Sequence, residues 1–192
     1  MRERLKLLTA LLAVVLMFSG FFGGDKSKEE IKKARQEIQK MSRETLQLLY
    51  KHAPEARSRI KHAYGYATFS NVGINVFLLS TENGSGLAHN NKTGKDIYMK
   101  MFSGGVGLGL GVKDFRIVFI FDNKKVFDEF INSGWEANAQ ADAAAKAEEK
   151  GGAASGAVTV APGVHIYKLT KNGLALQATI QGTKYWKDDE LN

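Results

Sequence analysis

Residues 103–115, "SGGVGLGLGVKDF", carry five glycines in their first nine positions. Glycine-rich stretches can cradle phosphate. The dinucleotide fingerprint needs glycines at i, i+2 and i+5, so that a tight turn delivers a pyrophosphate to a helix N-terminus. Here the third position falls on Leu110 or Val112, and the pattern fails. The other phosphate loop ends in Gly-Lys-Ser/Thr, and "GKD" at 94–96 does not supply it. The run alternates instead. Gly105, Gly107, Gly109 and Gly111 occupy one parity, and Val106, Leu108, Leu110 and Val112 the other. Period two predicts a strand with a bare face and an apolar face. A glycine face in a sheet implies a close neighbour, so these four glycines are expected to be structural.

Other catalytic or ligating patterns are missing from the sequence. The histidines at 52, 62, 89 and 165 show no metal-ligand spacing, and neither H-E-x-x-H nor G-x-S-x-G occurs. Without cysteine there are no disulfides, thiolate metal sites or cysteine nucleophiles. No residues are expected to be catalytic, and neither a metal nor a cofactor is expected. "NGS" at 83 and "NKT" at 91 are glycosylation sequons only in a host that glycosylates its exports.

Charge is the remaining chemistry. The 192 residues carry a net charge of +7, and a basic surface favours anionic partners, either lipid head groups or nucleic acid. Between Asp25 and Lys61 there are eleven Lys or Arg and six Asp or Glu, an excess of five. Lys26, Lys28, Lys32, Lys33, Arg35, Lys40, Arg43, Arg57, Arg59 and Lys61 are the candidate lipid-binding residues. In the same segment Ile31, Ala34, Ile38, Met41, Thr45 and Leu48 recur at spacings of three and four, one face of a helix. Ser27 can cap that helix and Pro54 breaks it. It either lies on a membrane surface or packs on the domain with a solvated outer face. A short second helix is expected to carry Ala56, Ile60 and Ala63.

The N-terminus narrows the choice of partner. "MRERLK" is followed by 18 uncharged residues, "LLTALLAVVLMFSGFFGG", which reads as a secretory signal or an N-terminal anchor. As a helix the run spans roughly 27 Å, marginally enough for a bilayer. The small-x-small cleavage pattern is poor, since phenylalanines stand two positions before Gly20, Gly23 and Gly24. Residues 1–24 are therefore read as a signal peptide or a retained anchor. Export argues against nucleic acid, and the expected place is the periplasm, at the inner membrane if the anchor stays.

Beyond Tyr64 the period becomes two. "YGYATF", "GINVFLL", "GSGLAH" and "DIYMKMF" are predicted strands, the last two joined by the turn "NNKTGK". "FRIVFIF" is apolar on both parities, which predicts a central strand. "NKKVFDEFINSG" reads as a helix starting near Asn123 and stopping at Gly134. "WEANAQADAAAKAEEKGG" has helix-forming composition but alternates, and is expected as a strand to about Ala145. "VTV", "GVHIYKLT" and "LALQATIQG" are further strands.

"AYGYATFSNVG", "GSGLAH", "GGVGLGLGVKDFRIVFIF", "FINSGWEANAQADAAAK" and "GLALQATIQGTKYW", in this order, resemble the bacterial branch of the SYLF lipid-binding domain family. Its eukaryotic members include actin-binding proteins of yeast and animal phosphoinositide binders. The resemblance covers roughly residues 55–187. It implies a mixed, β-rich fold and a non-catalytic role at membranes. In animal members lipid contact is attributed to an N-terminal basic amphipathic helix, and residues 26–61 are similar to it in position and charge.

The expected architecture is α+β and β-rich: a mostly antiparallel sheet or partly closed barrel, an N-terminal helical segment and one or two short helices. The expected organisation is a signal or anchor at 1–24, a basic amphipathic helix at 25–54 and a lipid-binding domain at 55–192. The expected function is non-catalytic binding of anionic phospholipid in the bacterial cell envelope, without nucleic acid or metal. The alternative is a structural module that tethers an envelope assembly and touches lipid only through its anchor.

Overall fold

The structure, a computed structural model, describes residues 27–76, 79–106, 111–136, 157–170, 173–174 and 183–192. Helix α1 spans Lys28–His52. Its start is fixed by a capping box. The Ser27 amide donates to Glu30 Oε2 at 2.7 Å, and the Glu30 amide donates to Ser27 Oγ at 3.3 Å. It ends at Ala53, one residue before Pro54, where the chain cannot remain helical. A short helix, α2, follows at Ala56–His62.

The rest is an α+β fold dominated by one antiparallel sheet. Strands β1 (Gly65–Val76), β2 (Leu79–Asn90), β3 (Asp96–Val106) and β4 (Gly111–Phe121) precede helix α3 (Lys124–Asn132). After it come β5 (Trp135–Glu136), β6 (Val158–Ala161), β7 (Val164–Thr170), β8 (Gly173–Leu174) and β9 (Thr183–Lys187). The strand order is β5-β9-β3-β2-β1-β4-β7-β6, with β8 paired to β7. "FRIVFIF" lies within β4, between β1 and β7, and Phe115, Ile117, Val118, Phe119, Ile120 and Phe121 are all buried. Helix α3 starts at Asn123, whose side chain accepts from the Val126 amide, and Gly134 follows it at φ +70°.

The two faces of the sheet hold different cores. The inner face packs Phe69, Met99, Met101, Phe119, Phe121 and Tyr185 against Phe127, Phe130 and Ile131 of α3. On the outer face, Val118, Ile120, Tyr167 and Leu169 lie under Leu49 of α1 and Ala56 and Ile60 of α2. Farther along that face, Ile38 of α1 meets Leu87, Tyr98 and Leu191. Helix α1 thus crosses the outer face obliquely, from β3 across β2 and β1 to β4, β7 and β8.

Several expectations change. "YGYATF" and "GINVFLL" are not two strands: one continuous β1 runs through Ser70 and Asn71, both paired with β2. The buried positions of α1 are Ile38, Ser42, Thr45 and Leu49, so the stripe passes through Leu49, and Leu48 is only partly buried. Steps of four, three and four through 38, 42, 45 and 49 keep one helical face, and the Thr68 hydroxyl, donating to Ser42 Oγ at 2.8 Å, makes a polar pair within it. The glycine run is not one strand. Gly105 is the next-to-last residue of β3, opposite Ser80, whereas Gly111 opens β4 opposite Asn75. Strands β3 and β4 run in opposite directions with β2 and β1 between them. Gly107 and Gly109 lie outside the described residues, as do most of the alanine-rich segment and of "LALQATIQG".

Candidate functional site

The helical repeat sorts the charges of α1 onto separate lines. Lys28, Lys32, Arg35, Gln39, Arg43, Leu46 and Tyr50 follow one another at steps of three or four, so they form one edge of the helix. That edge carries four cations and no carboxylate. Glu30, Glu37 and Glu44 recur every seven residues along the opposite edge. Between the two edges runs an outward ridge with Lys33, Lys40 and Lys51. Lys40 lies 4.0 Å from Glu44, which also lies 3.6 Å from Arg116 of β4. The ridge and the acidic edge therefore compensate one another in part, while the line of the cationic edge itself holds no acid; Glu29, exposed in the first turn, flanks it three residues before Lys32.

A polar network fixes how this edge sits on the sheet. Gln39 Nε2 donates to Asp96 Oδ2 at 3.3 Å and to the Tyr98 hydroxyl at 3.2 Å. The other oxygen of Asp96 lies 2.7 Å from His89 Nδ1, and the His89 ring packs 5.2 Å from that of Tyr66. Arg35 stands over the Tyr98 ring at 5.6 Å and donates through Nε to the Leu191 carbonyl at 2.9 Å. Burial pushes the Tyr66 hydroxyl up to about 12, reinforced by the charge of Asp96 and by Tyr50. Burial and Asp96 also raise Tyr98, with Arg35 and Gln39 pulling the other way. Between Lys28, Lys32, Arg35 and Gln39 on one side and Tyr98 on the other lies an open cleft of about 440 Å³.

The candidate cations are not one cluster. Lys28, Lys32, Arg35 and Arg43 share the edge, and all but the half-buried Arg35 are exposed. Arg57 of α2 joins them: its guanidinium lies 4.4 Å from the Tyr50 ring, on the same line of α1. Lys61 is exposed one helical turn beyond Arg57. Arg59 departs from the group. It is half-buried and faces Tyr167, whose hydroxyl is raised by burial and lowered in part by that guanidinium. Lys33 and Lys40 belong to the ridge, and Lys26 lies outside the described residues.

Three of the four histidines have local partners. His62 Nδ1 lies 2.8 Å from the Ser58 carbonyl, and His89 meets Asp96. His165 bridges Thr159 Oγ1 and Asp122 Oδ2 at 3.0 Å each. This last chain of hydroxyl, imidazole and carboxylate joins the β6–β7 hairpin to the end of β4. Among the described residues no three His, Asp or Glu side chains come together as a metal site. No helix among them is long and apolar enough to cross a membrane.

Sequence reasoning missed two features. Phe102 and Trp186 are the exposed large apolar side chains of the described surface, at 39% and 40%. Phe102 faces Lys184 and Trp186 faces Lys100 across the β3–β9 pair. Their signal was present as alternation in "YMKMF" and "TKYWK", but it gave no indication that this part of the outer face would lie beyond the reach of α1. The Asp96–Gln39–Tyr98 network was also missed, because it joins residues 57 and 59 positions apart.

No family model matches the chain. The chain is 38% identical over 160 residues to a protein named Beta cell expansion factor A from Aeromonas veronii. The match takes in 83% of this chain and 59% of that protein, so the chain spans less than two thirds of its relative's length.

Proposed function

We propose that this chain is a SYLF-type, non-catalytic phospholipid-binding protein of the bacterial cell envelope, exported by residues 1–24 and associating with anionic membranes. The observation that carries this reading is the segregated edge of α1: four cations in register and no acid on that line, on a helix packed and hydrogen-bonded to the sheet. Such an edge attracts an anionic surface at about 1 kcal/mol per Lys or Arg close to it, and salt weakens that attraction. The amphipathic helix does not need to leave the sheet for this purpose, since its apolar face is already buried there.

The test uses residues 25–192, which include every described contact. This chain should sediment with vesicles of phosphatidylglycerol and phosphatidylcholine, and release as the Debye length falls below about 8 Å. Equal binding to neutral vesicles at high salt would sink the electrostatic reading.

A second reading is a structural module that tethers an envelope assembly and touches lipid only through residues 1–24. Phe102 and Trp186 favour it, because an exposed aromatic pair on a sheet face apart from the cationic edge is a surface a protein partner can cover. Failure of residues 25–192 to bind any vesicle would select it.

A further inference from the structure

The cationic edge of α1 does not end with the helix. The turn between β2 and β3, residues 91–95, carries Lys92 and Lys95, both exposed. It is a tightly made turn. The Asn90 amide donates to the Lys95 carbonyl at 3.0 Å, and Asn90 Oδ1 accepts from the amides of Lys92 and Thr93 at 2.9 and 3.1 Å. Gly94 supplies the positive φ of +70° that closes it. The turn is also anchored to α2: Asn91 Nδ2 donates to the carbonyls of Ile60 at 2.7 Å and Ala63 at 3.1 Å. Immediately after Lys95, Asp96 is tied to Gln39 in the middle of the cationic edge.

Three elements are therefore locked together at one end of the sheet: the edge of α1, α2 with Arg57 and Lys61, and the turn with Lys92 and Lys95. Of the acids near these elements, Asp96 is directed at His89 and Gln39, and the exposed Glu29 and Glu55 stand at the starts of α1 and α2.

We propose, resting on the lipid-binding reading above, that this three-element face is the surface that meets the bilayer, with the β2–β3 turn seated at the head groups. The array is extended. Helix α1 alone is about 37 Å long, and its cations are spread from Lys28 to Arg43, farther than any small phosphate ligand reaches. A flat anionic surface engages all of them at once. The same chain carries an 18-residue uncharged run at 7–24, which favours a bilayer over nucleic acid as that surface. The reading also sets an orientation. Phe102 lies six residues along β3 from Asp96, about 20 Å away, and points off the outer face away from the docked turn.

The experiment uses the full chain. It contains no cysteine, so Thr93→Cys places a single polarity-sensitive fluorophore on the turn. Trp186 emission, read in a Trp135→Phe background, reports the far end. With vesicles of equal parts phosphatidylglycerol and phosphatidylcholine, the turn probe should shift to the blue and Trp186 should not. Phosphatidylcholine alone should leave the turn probe unchanged. The pair Lys92→Gln and Lys95→Gln should weaken anionic binding roughly 10- to 30-fold while the thermal midpoint stays put. A silent turn probe, with this pair binding as tightly as the parent, overturns the inference and leaves the lipid reading intact. So does a Trp186 shift in its place. No preference of the unsubstituted chain for anionic over neutral vesicles overturns both. A stronger turn-probe response to duplex DNA than to anionic vesicles assigns the face to nucleic acid and also overturns the inference.

Discussion

The rings of Phe119 and Tyr185 lie 4.9 Å apart, centroid to centroid, although β2, β1 and β3 stand between their strands in the sheet. At about 4.8 Å per strand, a flat sheet would separate β4 from β9 by about 19 Å. The contact therefore requires the sheet to curl until its inner face meets itself. Phe69 closes the same gap, 4.8 Å from Tyr185 and 5.9 Å from Phe119. Curvature here is held by aromatic contact across the concave side. Tyr185→Ala should cost about 3–5 kcal/mol, the range for deleting a large buried ring. Urea unfolding measures it, and a cost under about 1 kcal/mol would show the curl to be set elsewhere.

Gly86 lies against Phe69 on that concave side. A Cβ on it would meet the ring of Phe69 and lie 2.6 Å from the Thr68 carbonyl oxygen. Gly86→Ala is expected to destabilise by more than about 2 kcal/mol, because backbone and a packed ring must both give way. Gly94→Ala is the control. Nothing lies within 4 Å of its Cβ position, and its cost is the left-handed φ alone, about 1 kcal/mol. Equal midpoints for the two variants in chemical denaturation would refute the packing argument.

Leu49 has no solvent exposure and belongs to the core shared by α1, α2 and the outer face. Leu49→Ala should cost about 3 kcal/mol. Lys33→Ala and Lys40→Ala, on the solvated ridge, should stay within about 0.5 kcal/mol. A small cost at Leu49 would mean that α1 is not held on the sheet, and amide exchange along α1 would then be fast.

Charge changes on α1 should depend on which line they fall on. Lys32→Gln and Arg43→Gln, on the cationic edge, should each weaken binding to anionic vesicles roughly fivefold. Glu37→Gln, on the acidic edge, should leave it nearly unchanged or slightly stronger. Equal effects from all three in vesicle titration would mean that net charge, rather than the edge, governs binding.

Alkaline pH should destabilise the fold through Tyr66. Its folded pKa, raised to about 12 from 10.0 by burial, Asp96 and Tyr50, means that the folded state keeps the proton that the unfolded chain gives up. Stability is then complete below pH 10 and declines as pH rises from 10 toward 12. Partial solvent access reduces the effect to the order of 1–2 kcal/mol. Tyr50, Tyr98 and Tyr167 shift in the same direction. Tyr66→Phe should flatten part of this decline. Urea midpoints at pH 9 and pH 11 that fall by the same amount in both proteins would rule Tyr66 out.

Local signals account for much of the fold. The Ser27 cap, the Pro54 stop, the α2 stripe, the "NNKTGK" turn, the doubly apolar β4 and the limits of α3 could all be read in sequence, because each depends on neighbours a few residues away. The glycine run misled because alternation does not report strand membership: Gly105 and Gly111 keep parity although they belong to different strands. Two glycines with no room for a Cβ, Gly65 and Gly86, stand in ordinary-looking strands. Their crowding comes from Phe127 and Phe69, through tertiary packing that no local pattern records. At the site, the basic residues were legible as a set. Their division into an edge, a ridge and the inward-facing Arg59 depends on which side of α1 meets Tyr98, and that was not.

Helix α1 both displays the cations and braces six strands, reaching Tyr98 of β3 and passing over β2, β1, β4, β7 and β8. Display and bracing thus share one free energy. A ligand that engages the edge only while α1 is seated adds RT ln(1 + [L]/Kd) to the work of unfolding. Reciprocity then makes the seating contacts part of the affinity. Loosening Leu49 or Gln39, neither of which carries charge, lowers the occupancy of the competent state and raises the apparent Kd by the same factor. In this molecule an uncharged substitution beneath the helix can register as a loss of electrostatic binding.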